Sequence, residues 1–319
     1  MKNTVLLTGG FGNLGGRLSS YLHEQKKFNI RLGSRATRKA PTWAPDAQTT
    51  RLDVLDLASL ANSLEGVAIV VHLAAMNDIE CAKAPELAQI INVEGTRNLL
   101  ESAIGSGVGK IIYLSTAHVY ASPLVGTISE SNIPHPRHPY STTSLESELL
   151  IKEAHDAHKI VGIRVRCANG FGAPMDPTVN IWQILVDDLC RQATEHGTLT
   201  LKSHGDQERN FVPLQDICTA ISHLIDLDEQ HVSDGLFNLG HKDSSSVWEM
   251  AQRIARRCEA VLGFLPPIYR PPAEPNEKPQ SLDYRSEKLR STGFVPVGDL
   301  DAEIDQLLKF CAREFPRRS

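Results

Sequence analysis

The sequence predicts an α/β fold, a doubly wound parallel sheet with a smaller second domain, and three observations predict it. Strand-like and helix-like segments alternate through the first half, a pattern that gives parallel strands with helices on both faces. The run Val67-Ala68-Ile69-Val70-Val71-His72-Leu73 is almost continuously apolar, as a strand covered on both sides must be. A glycine-rich turn, Thr8-Gly9-Gly10-Phe11-Gly12-Asn13-Leu14-Gly15, joins the apolar run Thr4-Val5-Leu6-Leu7 to a segment with helical spacing at Leu14, Leu18, Tyr21 and Leu22.

The elements follow in order. Asn29 to Leu32 is a second strand, and Thr49 to Asp53 a third, followed by a short helix from Asp56 to Leu64. A long helical pattern covers Pro85 to Ser106, with Leu87, Ile90, Ile91, Leu99 and Leu100 apolar. Lys110 to Ser115 is the next strand. A Pro- and His-rich loop, Ile133 to Pro139, leads into a helix from Ser141 to His158, and Val161 to Val165 is again a strand. The second half is less regular. Helices are expected at Ile181 to Thr194, Leu214 to Ile225, Val247 to Ala260 and Leu300 to Cys311, with short strands at Leu199 to Leu201 and Leu236 to Leu239. Pro266 to Pro279 reads as a surface loop. The division is into a dinucleotide-binding domain over residues 1–170 and a partly interleaved substrate-binding α/β domain over 171–319.

Composition narrows the partners. The chain has 319 residues and a formal charge of -5, which argues against a nucleic-acid surface. No apolar run approaches the ~20 residues of a membrane span, and the N-terminus enters a strand at once, unlike a secretory signal. The six cysteines contain no Cys-x-x-Cys pair, so buried free thiols in a cytoplasmic protein are expected. His155 and His158 share a helix face, but no Asp, Glu or Cys cluster accompanies them, so no metal centre is expected.

The glycine turn carries chemistry. Strand, tight turn and helix are the context that a dinucleotide fingerprint requires. Gly9 permits the sharp turn, Gly12 lets backbone approach a pyrophosphate, and Gly15 lets the helix pack close. The free amides at the helix start, around Asn13 and Leu14, then face the phosphates. Cofactor choice is readable after the second strand. Leu32-Gly33-Ser34-Arg35-Ala36-Thr37-Arg38-Lys39 has no carboxylate for ribose hydroxyls. Arg35 can fork onto a 2′-phosphate, assisted by Ser34 and Arg38. NADP(H) is favoured, and NAD(H) stays possible because Gly33 leaves room.

Taken together, the chain resembles the extended short-chain dehydrogenase/reductases, the nucleotide-sugar epimerase/dehydratase group with a Rossmann sheet. Thr8 to Gly15 matches TGGxGxxG, and His72-Leu73-Ala74-Ala75 matches HLAA. Asn92 to Leu100 matches NVxGTxNLL, and Ser115 to Tyr120 the active-site strand. Asn169, Phe171, Gly172 and Pro174 resemble the segment after RxxN, Arg209-Asn210-Phe211-Val212 with Asp216 resembles RDFV…D, and Asn238-Leu239-Gly240 resembles NxG. The resemblance implies cofactor contacts from Asp53, Val54, Leu73, Ala74, Ala75 and Asn92. It implies nucleotide-sugar contacts from Asn169 and Arg209, and catalysis by Thr116 and Tyr140. It also implies a homodimer built on the helices Pro85 to Ser106 and Ser141 to His158.

One position departs from that pattern. Similar proteins carry a Lys four residues after the Tyr, where it binds ribose and lowers the Tyr pKa. Here the chain reads Tyr140-Ser141-Thr142-Thr143-Ser144. Lys152 lies about 18 Å further along a helix and is no substitute. Without the ammonium, Tyr140 is a poor base and a competent acid, with His118 or His138 as possible proton relays. The expected activity is NAD(P)-dependent reduction of a keto group on a nucleotide-activated sugar. The alternatives are an epimerase or dehydratase with retained NAD, and a non-catalytic NADP(H)-binding sensor.

Overall fold

The computed structural model describes residues 2–273 and 281–316. At its centre β1 (Thr4–Thr8), β2 (Asn29–Ser34), β3 (Gln48–Arg51), β4 (Ile69–His72), β5 (Lys110–Thr116), β6 (Val161–Cys167) and β7 (Leu236–Leu239) form one sheet in the order 3-2-1-4-5-6-7. Every neighbouring pair is parallel. The winding reverses between β1 and β4, and the crevice outside the carboxyl ends of strands at such a reversal is where α/β sheets take ligands.

Alternation along the strands builds both cores. Val5 and Leu7 of β1, Leu32 of β2 and Val71 of β4 face one side, covered by α1 (Asn13–Gln25). Leu6, Val70 and Ile111 face the other, covered by α2 (Leu57–Leu64) and α3 (Gly95–Gly105). Asp56 caps α2 through its side chain, which accepts from the Ala58 and Ser59 amides. The helix α4 (Pro139–Asp156) brings Ile151 into the same layer.

The second half divides between two cores. Helices α5 (Leu185–His196), α7 (Val247–Leu262) and α8 (Leu300–Glu314) enclose a separate apolar cluster. By contrast, α6 (Leu214–Asp226) and β7 join the core of the main sheet. The first and last helices are fastened together: Arg17 on α1 pairs with buried Glu303 on α8 at 2.7 Å and donates to the Ala173 carbonyl at 3.0 Å.

Several expected boundaries move. The third strand ends at Arg51, leaving Asp53 in a loop. The long pattern from Pro85 is Pro85–Ala88, a π-helical turn over Gln89–Glu94, then α3. The helix expected from Ser141 begins at Pro139, because Pro suits a first turn, so Tyr140 lies inside it. The helix expected from Ile181 starts at Leu185. Asp78–Lys83 is an extra short helix, closed by a capping box between Asn77 and Glu80. Within the Pro-rich segment Ile268–Tyr269 pairs with Leu199–Thr200, while 274–280 lie outside the described residues. All six cysteines are buried and unpaired. Among the described residues no helix is long and apolar enough to cross a membrane.

Candidate active site

The glycine turn is tight for reasons visible in each glycine. Gly9 has φ +65°, and a Cβ there would stand 3.2 Å from the Ala74 backbone. A Cβ on Gly15 would fall 2.2 Å from the Gly9 carbonyl oxygen and 2.8 Å from the Gly10 Cα. Gly12 is less crowded, with only the Gly9 oxygen at 3.3 Å, so its Cβ-less face is available to something outside the turn. The start of α1 has neither a side-chain cap nor an acidic residue in its first turn. Its amides are therefore unsatisfied and their positive end is not neutralised, which suits a pyrophosphate. Among the described residues the Asn13 Oδ1 is buried without a partner. The cradle thus fits a dinucleotide.

A chain of hydrogen bonds sets the opposite wall. The Thr8 hydroxyl accepts from the Leu73 amide at 3.0 Å and the Ala74 amide at 3.1 Å. With both acceptor sites used, it donates to Nδ1 of His72 at 2.7 Å. Nε2 of His72 then carries the proton and donates to Thr96 at 3.0 Å, which donates to the Asn92 carbonyl. Burial pushes the His72 imidazole down to about 4, so it is neutral, as these bonds require.

The other expected cofactor contacts divide into those facing the crevice and those beneath it. Arg35 is exposed beyond β2, and among the described residues it makes no ion pair. A Cβ on Gly33 would meet Leu52 at 2.9 Å, so position 33 is filled by Leu52 rather than left roomy. Arg38 lies over the Phe11 ring at 5.1 Å. Asp53 caps its own loop, accepting from the Leu55 amide at 3.0 Å. Val54 is buried against Gly95, whose Cβ would clash with it at 2.5 Å. The Asn92 side chain is also buried, holding the Met76 amide at 2.8 Å and the Thr143 hydroxyl at 3.1 Å. Both act by supporting the lining from below.

Past β4 and β5 the crevice opens into a cavity of about 520 Å³. Thr116, Tyr140, Asn169 and Arg209, far apart in sequence, all line it, with His118, His138 and Asp78. The Thr116 hydroxyl accepts from the His118 amide at 3.2 Å and keeps its proton for a ligand. His138 caps α4 by accepting the Tyr140 amide on Nδ1 at 3.2 Å. The Tyr140 phenol is pushed up to about 12, by burial first and then by Asp78, Cys167 and Cys81. Ser144 is buried and turns its hydroxyl back to the Tyr140 carbonyl at 2.7 Å. Lys152 is on the outer surface, paired with Asp156. Arg209 is held below its ordinary pKa by burial and makes no ion pair among the described residues. Asn169 donates its amide to the Asn210 carbonyl at 3.0 Å, leaving its oxygen unused by that bond. Asp216 has a purely structural place, with Oδ1 accepting from the Val297 and Gly298 amides.

Under this wall lies a buried ion pair that sequence reasoning missed. Glu148, 1 % exposed, accepts two bonds from Arg166 Nε and a third from Nη2 at 2.7 Å, and also a bond from Ser115. The Arg166 guanidinium stacks on Tyr120 at 4.6 Å. Glu148 stands in the sequence among Glu146, Lys152 and Glu153 on the same helix. The signal was present, since Tyr140, Ser144 and Glu148 are spaced four apart and so share a face.

The family model described as "NAD dependent epimerase/dehydratase family" matches residues 5–240, from β1 through β7. The chain belongs to the NAD dependent epimerase/dehydratase family. This is a family of enzymes, and the expectation of a nucleotide-sugar epimerase/dehydratase relative stands with it. Two relatives of this epimerase/dehydratase chain illustrate its range. The low-salt glycan biosynthesis protein Agl12 of Haloferax volcanii is 25 % identical, over 81 % of this chain and 83 % of its own. The UDP-glucose 4-epimerase of Halalkalibacterium halodurans is 26 % identical, over 92 % and 90 %. The solved UDP-glucuronic acid 4-epimerase from Bacillus cereus, in complex with UDP-glucuronic acid and NAD, superposes with a TM-score of 0.79. It is 21 % identical, with 97 % of this chain and 99 % of that one covered.

Proposed function

We propose that the protein transforms a nucleotide-activated sugar by moving hydride and a proton at one carbinol or keto carbon. The observation that carries this is the cavity lined by Thr116, Tyr140 and Arg209, the last making no ion pair among the described residues, in a chain that also carries the glycine cradle. A half-buried cation without a partner favours an anion such as a diphosphate. The relatives named as UDP-glucose 4-epimerases support a UDP-sugar. The dinucleotide supplies the hydride acceptor or donor when bound. Gly9 to Gly15, with Asn13 and Leu14, hold its pyrophosphate. Leu73, Ala74, Ala75 and Asp53 line its path, with Val54 and Asn92 behind. Thr116 donates to the sugar oxygen, while Asn169 and Arg209 hold the diphosphate. In this reading residues 1–170 carry the cofactor and 171–319 close over the sugar.

The finer choices follow from charge. Arg35 and the missing acid favour NADP(H) over NAD(H). A second reading, reduction of a keto-sugar, is favoured by Tyr140: a phenol held near 12 is a proton donor at neutral pH. A homodimer is supported by Leu87, Ile90 and Leu149, which are exposed on the two helices expected to pair. Ile151, on the same helix as Leu149, is buried in the core and takes no part.

The test is incubation with NAD+, NADP+, NADH or NADPH and a panel of UDP-sugars and UDP-keto-sugars, followed by NMR of the sugar. Inversion at one carbon or loss of water without net cofactor consumption supports the epimerase/dehydratase reading. Stoichiometric oxidation of NADPH supports the reductase. No binding of any UDP-sugar by calorimetry overturns both.

A further inference from the structure

The protein contains a built-in control for judging its histidines. His72 is bonded at both ring nitrogens, to Thr8 and to Thr96, and its role ends there. His118 is the opposite case. It occupies the 3₁₀ turn Ala117–Val119 that directly follows Thr116, so imidazole and hydroxyl leave the sheet from one turn. Among the described residues Nδ1 is shut off from water with no hydrogen-bond partner, and the polar groups that act on the ring are the Asn169 side chain and the Ala121 backbone. The ring nevertheless lines the cavity with Thr116, Tyr140, Asn169 and Arg209. A polar group in that condition is costly unless something else completes it.

The neighbours decide which protonation state waits there. Burial and the Arg209 guanidinium hold the imidazole below its ordinary pKa, against the opposing effects of Asn169, the Ala121 backbone and Asp78. His118 is therefore a neutral base at pH 7. Tyr140 is not: its phenol keeps its proton, and Ser144 gives it no ammonium. The site as built has a protonated phenol, an unprotonated imidazole and no tyrosinate.

We propose that His118 is a catalytic acid–base residue of this cavity and takes over the proton-accepting half of the work. The inference rests on the nucleotide-sugar reading above. When a sugar carbinol is oxidised, its hydroxyl proton passes to the imidazole and its hydride, with both electrons, to the nicotinamide, leaving a carbonyl. In the return direction the imidazolium or the Tyr140 phenol gives the proton back.

The experiment compares the full chain with His118→Gln, using NAD+ or NADP+ and UDP-glucose or UDP-glucuronic acid. Calorimetry gives the affinity for the UDP-sugar, and the absorbance of reduced nicotinamide gives the rate of oxidation. The expected result is unchanged affinity with roughly a hundredfold or greater loss of rate, since a positioned base supplies about 10²–10⁴. Wild-type rate should follow a single ionisation in the imidazole range, absent in the variant, and added imidazole should restore part of it. An unchanged rate or pH profile overturns the inference. If these sugars bind without turning over, histidine NMR decides: the resonances lost in His118→Gln should move with UDP-glucose and not with UDP alone. If they stay fixed, the inference fails while the nucleotide-sugar reading survives. If no UDP-sugar binds wild type at all, that reading fails and takes this inference with it.

Discussion

The two halves of the crevice are built from different material. The cradle under β1 is made of backbone: a φ of +65° at Gly9 and a Gly15 whose absent Cβ leaves 2.2 Å to a carbonyl. Few substitutions satisfy such geometry. The cavity wall past β5 is made of side chains, among them Tyr140, with Ser144 four residues on turning its hydroxyl back to the Tyr140 carbonyl. Backbone geometry ties a sequence to a fold, whereas one side chain can be exchanged and its task moved to a neighbour. The cradle is therefore held by backbone geometry, and the wall is open to exchange of single side chains.

That contrast can be broken at the wall's foundation. Glu148→Gln leaves Arg166 buried without its counter-charge, and losing one partner of such a pair costs about 3–5 kcal/mol. Urea unfolding at pH 7 measures it. A change under 1 kcal/mol would mean water reaches the pair. In the cradle, Gly15→Val should cost about 3 kcal/mol or more, as overpacking against backbone does at its worst. Gly12→Val should keep the fold, and calorimetry should find dinucleotide affinity lost. Equal damage from both would deny them separate roles.

The next effect is one of pH. The His72 imidazole titrates near 6.5 when free and near 4 in the fold, so the unfolded chain binds the extra proton first. Its contribution is complete above about pH 6.5 and is lost as pH falls towards 4. The loss is about 3 kcal/mol at 1.36 kcal/mol per unit. Unfolding free energies at pH 7 and 4.5 should differ more in wild type than in His72→Gln. At the departing position, Ser144→Lys should lower the Tyr140 pKa by about 1–3 units, read from the ultraviolet signal of tyrosinate. If the new ammonium leaves that titration unmoved, it does not reach the phenol. The smallest effect is expected at Arg35→Ala. Losing one charge-assisted contact of about 1.5 kcal/mol should narrow any NADPH-over-NADH preference roughly tenfold, and tighter NADH binding in the unmodified protein would reject the premise.

The cradle was legible because its constraints are local. Gly9, Gly12 and Gly15 fall within one strand-turn-helix, and the period of the apolar residues flags both neighbours. The parallel sheet with helices on both faces followed from alternation. The wall was legible only in part. Thr116, Tyr140, Asn169 and Arg209 meet in one cavity because strand segments and the start of α4 converge there, which no local spacing records. Asn92 and Val54 were expected as lining and lie beneath it, since burial depth is set by tertiary packing against Thr143 and Gly95. Glu148 hid among charged neighbours on its helix, and its partner Arg166 sits on a distant strand.

The clasp between Arg17 and Glu303 has a consequence for the order in which the protein is made. The first helix emerges from the ribosome early and waits for a carboxylate in the last one. The edge strand β7 comes earlier than Glu303 but still after residues 185–200, which belong to a different core. Until they are made the central sheet lacks its edge strand and the first helix its ion-pair partner, and contacts so distant in sequence slow the search for the native state. A ribosome-bound chain stalled before Glu303 should be cut by protease at the first helix, whereas the released chain resists.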